Sequence, residues 1–361
     1  MDTIKNKIAI VSASLAVGGA ERSASLLSFM LHALGYEVHN IIIDDFVVYE
    51  YKGQLLNLGQ LCKSHNSVLK KVKKGMMLNE YLKENEIATV IDNRSRPLLV
   101  RELFIKWIYG NRKKYFLIHS SKLEMYLPKS VFWSNFLYRN ASKLICVSQS
   151  IENEVRQKYG FSNTKAIYNP IVNQEIVFKK PIDLPDNYLL FVGRLEENVK
   201  NFTLLLEAFL QSKIYEDGIC LVILGEGPSQ AFITDKIKTL GLEKSVLLVS
   251  FVQNPIPFIQ HARAVVLSSY FEGFPMSLLE ALSVGTPVIS VDCETGPREI
   301  IQNKYNGLLV ENHNPKVLAD AMRIMITNEN LYQTCKNNAK KSVEHLSLET
   351  IAKQWQQLLT E

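Results

Sequence analysis

A chain of 361 residues with 47% hydrophobic and 21% charged side chains can bury more than one core, which excludes an intrinsically disordered chain and points to two domains. Its five cysteines are odd in number, far apart and never in a CxxC pair, which argues against a disulfide framework or a zinc site and fits a reducing cytoplasm. The net charge of +5 hides an asymmetry: residues 1–180 hold 26 Lys+Arg against 15 Asp+Glu, a balance of +11, whereas the remainder balances at −6.

The opening residues, MDTIKNKIAIVSASLAVGG, imitate a secretion signal with Lys5 and Lys7 ahead of an apolar run, but Ser12 and Ser14 interrupt it and Gly18-Gly19 ends it. KIAIV (7–11) reads instead as a buried strand, AERSASLLSFMLHALG (20–35) as a helix stopped by Gly35, and EVHNIII (37–43) as the next strand. Further strands are expected at ATVID (88–92), YFLIHS (115–120), KLICVS (143–148) and, last in the first half, AIYNPI (166–171). Between them, one basic stretch gathers Lys63, Lys70, Lys71, Lys73, Lys74 and Lys83. A second gathers Arg101, Lys106, Arg112, Lys113 and Lys114, with Phe104, Ile105, Trp107, Ile108 and Tyr109 interleaved. Cations mixed with aromatic and aliphatic side chains suit an anionic membrane surface; an ordinary solvated face is the alternative. No nucleic-acid motif is recognisable, and no run reaches the roughly 18 apolar residues of a membrane-spanning helix, so a soluble or peripheral protein is expected.

VFKKPIDLPDN (177–187), broken by Pro181 and Pro185, reads as a linker. The alternation then restarts with strand YLLFVGR (188–194), helix NFTLLLEAFLQS (201–212), strand ICLVILG (219–225) and helix SQAFITDKIKTLG (229–241). It continues with strand VLLVSF (246–251), short helix PIPFIQHA (255–262), strand AVVLSS (264–269), a helix after Pro275, strand PVISV (287–291) and a helical tail from about 314. This is the pattern of an α/β protein built from two doubly wound, Rossmann-like domains, whose expected site is a cleft at the carboxyl ends of the strands.

The loops after the strands carry the candidate chemistry. Gly18 and Gly19 allow close approach of a ligand to a helix amino end, where free N–H groups favour negative charge. Arg194 and Lys200 bracket the next such loop and can clamp a diphosphate, one as a fork and one as a point charge, while Asn201 can cap the following helix. GEGPSQ (225–230) lacks the third glycine of a dinucleotide fingerprint and reads as a turn. In FEGFPMSLLEALSVGTPVI, Pro275 suits a first helical turn, and the amides of Met276 and Ser277 point from its amino end towards a phosphate or a sugar hydroxyl. Glu272 stands just before them within reach of a sugar ring, and Glu280, one turn in, can accept hydrogen bonds from a ribose diol.

The segment beginning at Phe271 resembles the E-x7-E region of glycosyltransferase family 4, the retaining GT-B transferases that use nucleotide sugars. GGAE at 18–21, GRL with a following KN at 193–201, LGEG at 224–227 and NGLLV at 306–310 extend the resemblance over nearly the whole chain. It implies an acceptor-binding domain at 1–175, a nucleotide-sugar-binding domain at 176–345, and a C-terminal helix at 346–361 that crosses back to the first. It also implies that Arg194 and Lys200 neutralise the donor diphosphate, that Glu280 holds the ribose, and that Glu272 meets the donor sugar on its reacting side. His119 matches a family histidine near that sugar, and Phe274, Pro275, Met276 and Ser277 complete the donor-binding stretch. No D-x-D metal motif is present, so no metal or other cofactor is expected, and cationic side chains take that role. The start and the FEGFP loop look most like bacterial enzymes that extend lipid-linked surface glycans, which suggests a uridine diphosphate sugar and an N-acetylhexosamine. A GT-B epimerase or hydrolase, a membrane-binding scaffold and a nicotinamide oxidoreductase are the rival readings; the last is disfavoured because neither Gly-rich loop completes G-x-G-x-x-G.

Overall fold

The computed structural model describes residues 7–16, 18–62, 67–172, 178–181 and 184–361, with the backbone alone for Ser67 and Val68. Lys5, Lys63, and Val177, Ile182 and Asp183 of the expected linker lie outside the described residues. The chain divides into two compact units, one running to Pro170 and including Leu348–Glu361, the other comprising Ile171–Ser347.

In the first unit, β1 (Lys7–Ser12), β2 (Glu37–Ile42), β3 (Gln54–Asn57), β4 (Thr89–Asp92), β5 (Lys113–Ile118), β6 (Lys143–Cys146) and β7 (Thr164–Ala166) form a parallel sheet in the order β3-β2-β1-β4-β5-β6-β7. β1 is apolar along almost its whole length because helices cover both faces of the sheet. Tight β3 was not legible beforehand: QLLN is short, half-exposed and at the sheet edge, where burial leaves little hydrophobic pattern. The expected strand at 166–171 is corrected to Thr164–Ala166. Pro170 has no N–H to give a ladder, and Ile171 makes only an isolated bridge with Ser347, its amide donating to the Leu346 carbonyl at 2.8 Å.

The C-terminal helix Leu348–Thr360 belongs to this first unit. Its buried stripe of Ile351, Ala352, Trp355 and Leu358 follows helical spacing and packs on the helix Gly19–Ala33. The Tyr115 hydroxyl on β5 donates to the Leu358 carbonyl at 3.3 Å. Each large apolar side chain in that stripe is worth about 1.5–3 kcal/mol on burial, enough to dock a helix whose other face is polar.

In the second unit, β8 (Tyr188–Val192), β9 (Cys220–Leu224), β10 (Val246–Val249), β11 (Ala264–Leu267), β12 (Val288–Val291) and β13 (Gly307–Val310) form a parallel sheet in the order β10-β9-β8-β11-β12-β13. The strand at β13 falls on the NGLLV stretch, which carried only a family resemblance beforehand. Helices Phe202–Ser212 and Pro315–Thr327 pack against each other. The first starts where expected: Asn201 sits in the left-handed region (φ 52°, ψ 60°) and its side-chain oxygen accepts from the Leu204 amide at 3.1 Å.

One member of the basic stretch turns inward. Lys74, on helix Ser67–Glu84, is buried, with its ammonium on the Ile43 carbonyl and 3.6 Å from Asp44. It therefore leaves the exposed cluster that the sequence suggested, since the helical period places it on the stripe of Gly75, Leu78 and Leu82. All five cysteines are free thiols. Among the described residues, no helix is long and apolar enough to cross a membrane.

Two glycines fix how loops stack at the carboxyl edge of the second sheet. A Cβ on Gly225 would fall 1.9 Å from the Gly193 carbonyl oxygen, and one on Gly227 would fall 2.3 Å from the Leu195 oxygen. Gly225→Ala should therefore cost about 3 kcal/mol in chemical denaturation. Gly160→Ala, at a left-handed helix end with open space around it, should cost only about 1–2 kcal/mol. Equal effects at the two positions would contradict the stacked-turn geometry.

Candidate active site

In each sheet the strand order reverses once, between β1 and β4 in the first unit and between β8 and β11 in the second. In open parallel sheets the loops on either side of such a reversal diverge, and it is there, at the carboxyl ends of the strands, that ligands are received.

In the first unit, the chain leaves β1 and enters helix Gly19–Ala33 through Gly18, whose φ of 149° favours glycine and whose bare Cα lets the Glu21 carboxylate lie close by. Beside it, Asn93 follows β4. Its backbone amide donates to the Val11 carbonyl at 2.8 Å, and its side-chain amide donates to the Ala20 carbonyl at 2.9 Å. Asn93 Oδ1 lies 2.7 Å from His119 Nε2. Because the Asn93 NH2 group is already donating, its oxygen accepts from His119, which places the imidazole proton on Nε2 and leaves Nδ1 as an acceptor. Burial, with Arg96 adding to it, lowers the His119 pKa to about 3, so the ring is neutral. Asn93 thus joins the Gly18-Gly19 turn to His119, a role that the sequence reading missed.

Beneath His119 lies a buried charge cluster that was also missed. Asp92 accepts from Arg94 at 2.5 and 3.0 Å and from the Tyr109 hydroxyl at 2.9 Å. Arg96, 1% exposed, donates to the carbonyls of Arg94 and Leu117, both at 2.8 Å, and stands over the rings of Phe116, Tyr126 and Tyr138. Burial alone would raise the Asp92 carboxyl, but Arg94 and Arg96 outweigh it and hold the group below its ordinary value.

In the second unit, the Gly193–Leu195 turn after β8 is backed by the 225–227 turn. Gly193 donates to the Leu224 carbonyl at 3.1 Å, and Leu195 donates to that of Glu226 at 2.9 Å. GEG is therefore a supporting turn, as its sequence suggested. Arg194 is exposed, with Glu196 3.5 Å away. Lys200, at the end of the short helix Glu197–Lys200, places its ammonium 2.5 Å from Glu272 Oε1, and Ser269 Oγ donates to the same oxygen at 2.6 Å. Ser268 Oγ donates to the Lys200 carbonyl at 2.8 Å, and Tyr270 N to that of Val199 at 2.9 Å, so the loops after β8 and β11 are stitched together.

The loop after β12 braces the same turn. Thr295 Oγ1 donates to the Glu272 carbonyl, and a Cβ on Gly296 (φ 92°) would fall 2.7 Å from Pro275 Cδ and 2.9 Å from the Gly273 oxygen. Pro275 is the cap of helix Met276–Ser283, one position ahead of the first turn that the sequence suggested. The amides of Leu278 and Leu279 reach back to its carbonyl, and those of Met276 and Ser277 precede any intrahelical acceptor, as helix geometry requires. Phe274 is buried, and Glu280 lies half-buried on the second turn. Beside this turn, burial and then the charge of Glu272 push the Cys293 thiol up to about 12, so it is an inert thiol. Asn93 was findable: it sits directly after β4, where parallel sheets put their ligand loops, and Thr295 lies in the loop after β12.

Two outcomes follow from this geometry. The Lys200 and Glu272 side chains are only 16% and 11% exposed, so removing one partner strands the other in a poorly solvated place. A double-mutant cycle with Lys200→Met and Glu272→Gln, read by denaturant unfolding, should give a coupling of about 1–3 kcal/mol; additivity would dissolve the pair. His119, its folded pKa below the ordinary 6.5, should show imidazole NMR shifts that stay flat from pH 8 to pH 5. The unfolded chain binds this proton first, so the contribution of His119 to stability is intact above pH 6.5 and falls as the pH drops from there towards 3. An imidazole shift with a midpoint near 6.5 would remove the burial argument.

Comparison with known proteins places these loops in a lineage. Residues 172–342 match the family model described as glycosyl transferases group 1, and residues 17–174 match glycosyltransferase family 4. The N-acetylgalactosamine-N,N'-diacetylbacillosaminyl-diphospho-undecaprenol 4-alpha-N-acetylgalactosaminyltransferase of Campylobacter jejuni is 30% identical, over 92% of this chain and 94% of that protein. The amylovoran biosynthesis glycosyltransferase AmsD of Erwinia amylovora is 25% identical, over 95% of this chain and 96% of its own. Among solved structures, HepE of Anabaena in complex with UDP and glucose superposes with a TM-score of 0.81 at 18% identity, covering 98% of this chain and 99% of that one. With family models along its length, a relative of that similarity, and two doubly wound parallel sheets, the chain belongs to glycosyltransferase family 4 and is a glycosyltransferase of the GT-B fold.

Proposed function

We propose that this glycosyltransferase moves an N-acetylhexosamine from a uridine diphosphate donor, with retention of anomeric configuration and without a metal, to a lipid-linked glycan at the inner face of a bacterial cytoplasmic membrane. The observation that carries the proposal is the Lys200–Glu272 pair at the β8/β11 reversal, which sets a cation and a carboxylate 2.5 Å apart where a parallel sheet receives its ligand. The relatives support the choice of substrates: the Campylobacter enzyme is named for a diphospho-undecaprenol acceptor and an N-acetylgalactosaminyl group, and HepE was solved with UDP and glucose.

In this reading, the second unit holds the donor and the first unit holds the acceptor. Glu280 accepts from the ribose hydroxyls, the amides of Met276 and Ser277 face the phosphates, and Glu272 meets the sugar. Phe274, next to that stretch in the chain, is buried, and in the first unit Gly18 and Gly19 leave a helix amino end open to close approach by a ligand. The acceptor hydroxyl forms its bond to the anomeric carbon on the face from which the diphosphate departs. The electron pair of the breaking C–O bond passes to the β-phosphate oxygen, which takes up the acceptor proton. Arg194 and Lys200 stabilise the charge that develops on the leaving diphosphate, and neutral His119 offers Nδ1 as an acceptor to a sugar hydroxyl.

A panel of nucleotide sugars, assayed with a polyprenyl-diphosphate glycan acceptor, tests the proposal. Acceptor-dependent consumption of a UDP-N-acetylhexosamine is expected, giving an α-linked product by anomeric coupling and surviving a strong chelator. A charge-assisted contact of about 1.5–3 kcal/mol means that Lys200→Ala should lower turnover at least tenfold with saturating donor. Free sugar as the main product, magnesium-rescued loss on chelation, or near-normal turnover of Lys200→Ala would each overturn the corresponding part.

A further inference from the structure

Helix Ser67–Glu84 carries two stripes where a soluble helix needs one. Its inward stripe is Lys74, Gly75, Leu78 and Leu82, all buried. Its outward stripe, Leu69, Val72 and Met76, follows the same helical spacing yet is exposed, and Lys70, Lys71 and Lys73 flank it. Two neighbouring helices repeat the arrangement. Leu99–Tyr109 buries Ile105, Ile108 and Tyr109 but turns out Val100, 80% exposed, and Trp107, 64% exposed. Val131–Tyr138 buries Leu137 and Tyr138 but turns out Phe132, 71% exposed, and Phe136, 50% exposed.

The three helices adjoin. Gly75 faces Phe104 so closely that a Cβ would fall 2.3 Å from its ring, and Phe104 stacks on Trp107 with ring centres 5.7 Å apart. The Lys106 ammonium sits 4.4 Å above the Phe136 ring. Much of the second basic stretch is occupied within the protein: Arg112 donates to the Ile87 carbonyl at 2.9 Å, and Lys114 to that of Gly110 at 2.6 Å. The exposed cations of these segments include Lys71, Lys73 and Lys83 on the first helix and Lys113, Lys129 and Arg139 in the chain flanking the other two. No acidic residue interrupts helix Ser67–Glu84 before Glu80.

We infer that this outward face of three helices is the docking surface for an anionic lipid bilayer. Its aromatic and aliphatic stripes enter the headgroup layer, and its exposed cations meet the lipid phosphates. Charge selects this occupant: a second copy of the chain would present the same cations to the same cations, whereas an anionic surface complements them. The inference rests on the membrane part of the proposed function, yet its measurement needs neither donor nor acceptor, so its failure and the failure of the transferase reading are separately visible.

The test uses the whole chain and vesicles of phosphatidylglycerol and phosphatidylcholine in flotation. The wild-type protein should bind anionic vesicles, and the combined variant Met76→Ser, Trp107→Ser, Phe132→Ser should bind at least tenfold more weakly with an unchanged melting curve. Brominated lipids should quench part of the wild-type tryptophan emission, and Trp107→Phe should shrink that part, with half-buried Trp133 on the third helix supplying what remains. Wild-type indifference to anionic vesicles, undiminished binding of the combined variant, or a dimer that this variant converts to monomer would overturn the assignment.

Discussion

Both halves of this enzyme depend on one constraint of parallel sheets: all strands deliver their following loops to the same edge, and only where the winding reverses do two neighbouring loops part. At β8 and β11 that edge receives a cation from one loop and a carboxylate from the next, and hydrogen bonds from Ser268, Ser269 and Thr295 leave neither loop free to drift. At β1 and β4 the same edge receives a glycine turn and Asn93, which fixes the orientation of His119. The chemistry is placed by topology first and by side chains second.

The two units handle charge differently. In the first, Asp92, Arg94 and Arg96 are almost wholly buried and saturated by one another, by carbonyls and by rings, which makes them a rigid floor rather than a reactive group. In the second, Lys200 and Glu272 satisfy one another while each stays only partly exposed, with Arg194 exposed close by in the chain. A pair of that kind can exchange partners when a phosphate and a sugar hydroxyl arrive, because each incoming group replaces an interaction that is already electrostatic.

Much of this was legible in the sequence, for reasons that differ from element to element. Strands such as KIAIV and YLLFV announce themselves because burial on both faces leaves continuous apolar runs. Asn201 announces its cap because the residue type and the following apolar helix coincide. The edge strand Gln54–Asn57 left no such trace, and the 166–171 stretch misled because its ladder stops short of Pro170, which has no N–H, and Ile171 makes only an isolated bridge. Asn93 and Thr295 were overlooked for another reason: their side chains bond groups 23 to 73 residues away, and composition does not register that, although the place of Asn93 directly after a strand was a signal. Lys74 misled because a lysine's charge was counted where its helical phase mattered.

The helix Leu348–Thr360 completes the first unit although the whole of the second unit precedes it, and the bond from Tyr115 to Leu358 spans 243 residues of sequence. On the ribosome, therefore, the second unit emerges with its sequence uninterrupted, while the first must wait with the face of helix Gly19–Ala33 that will receive Trp355 still open to water or to a chaperone. The order of synthesis and the order of completion are reversed: the domain begun first is closed last.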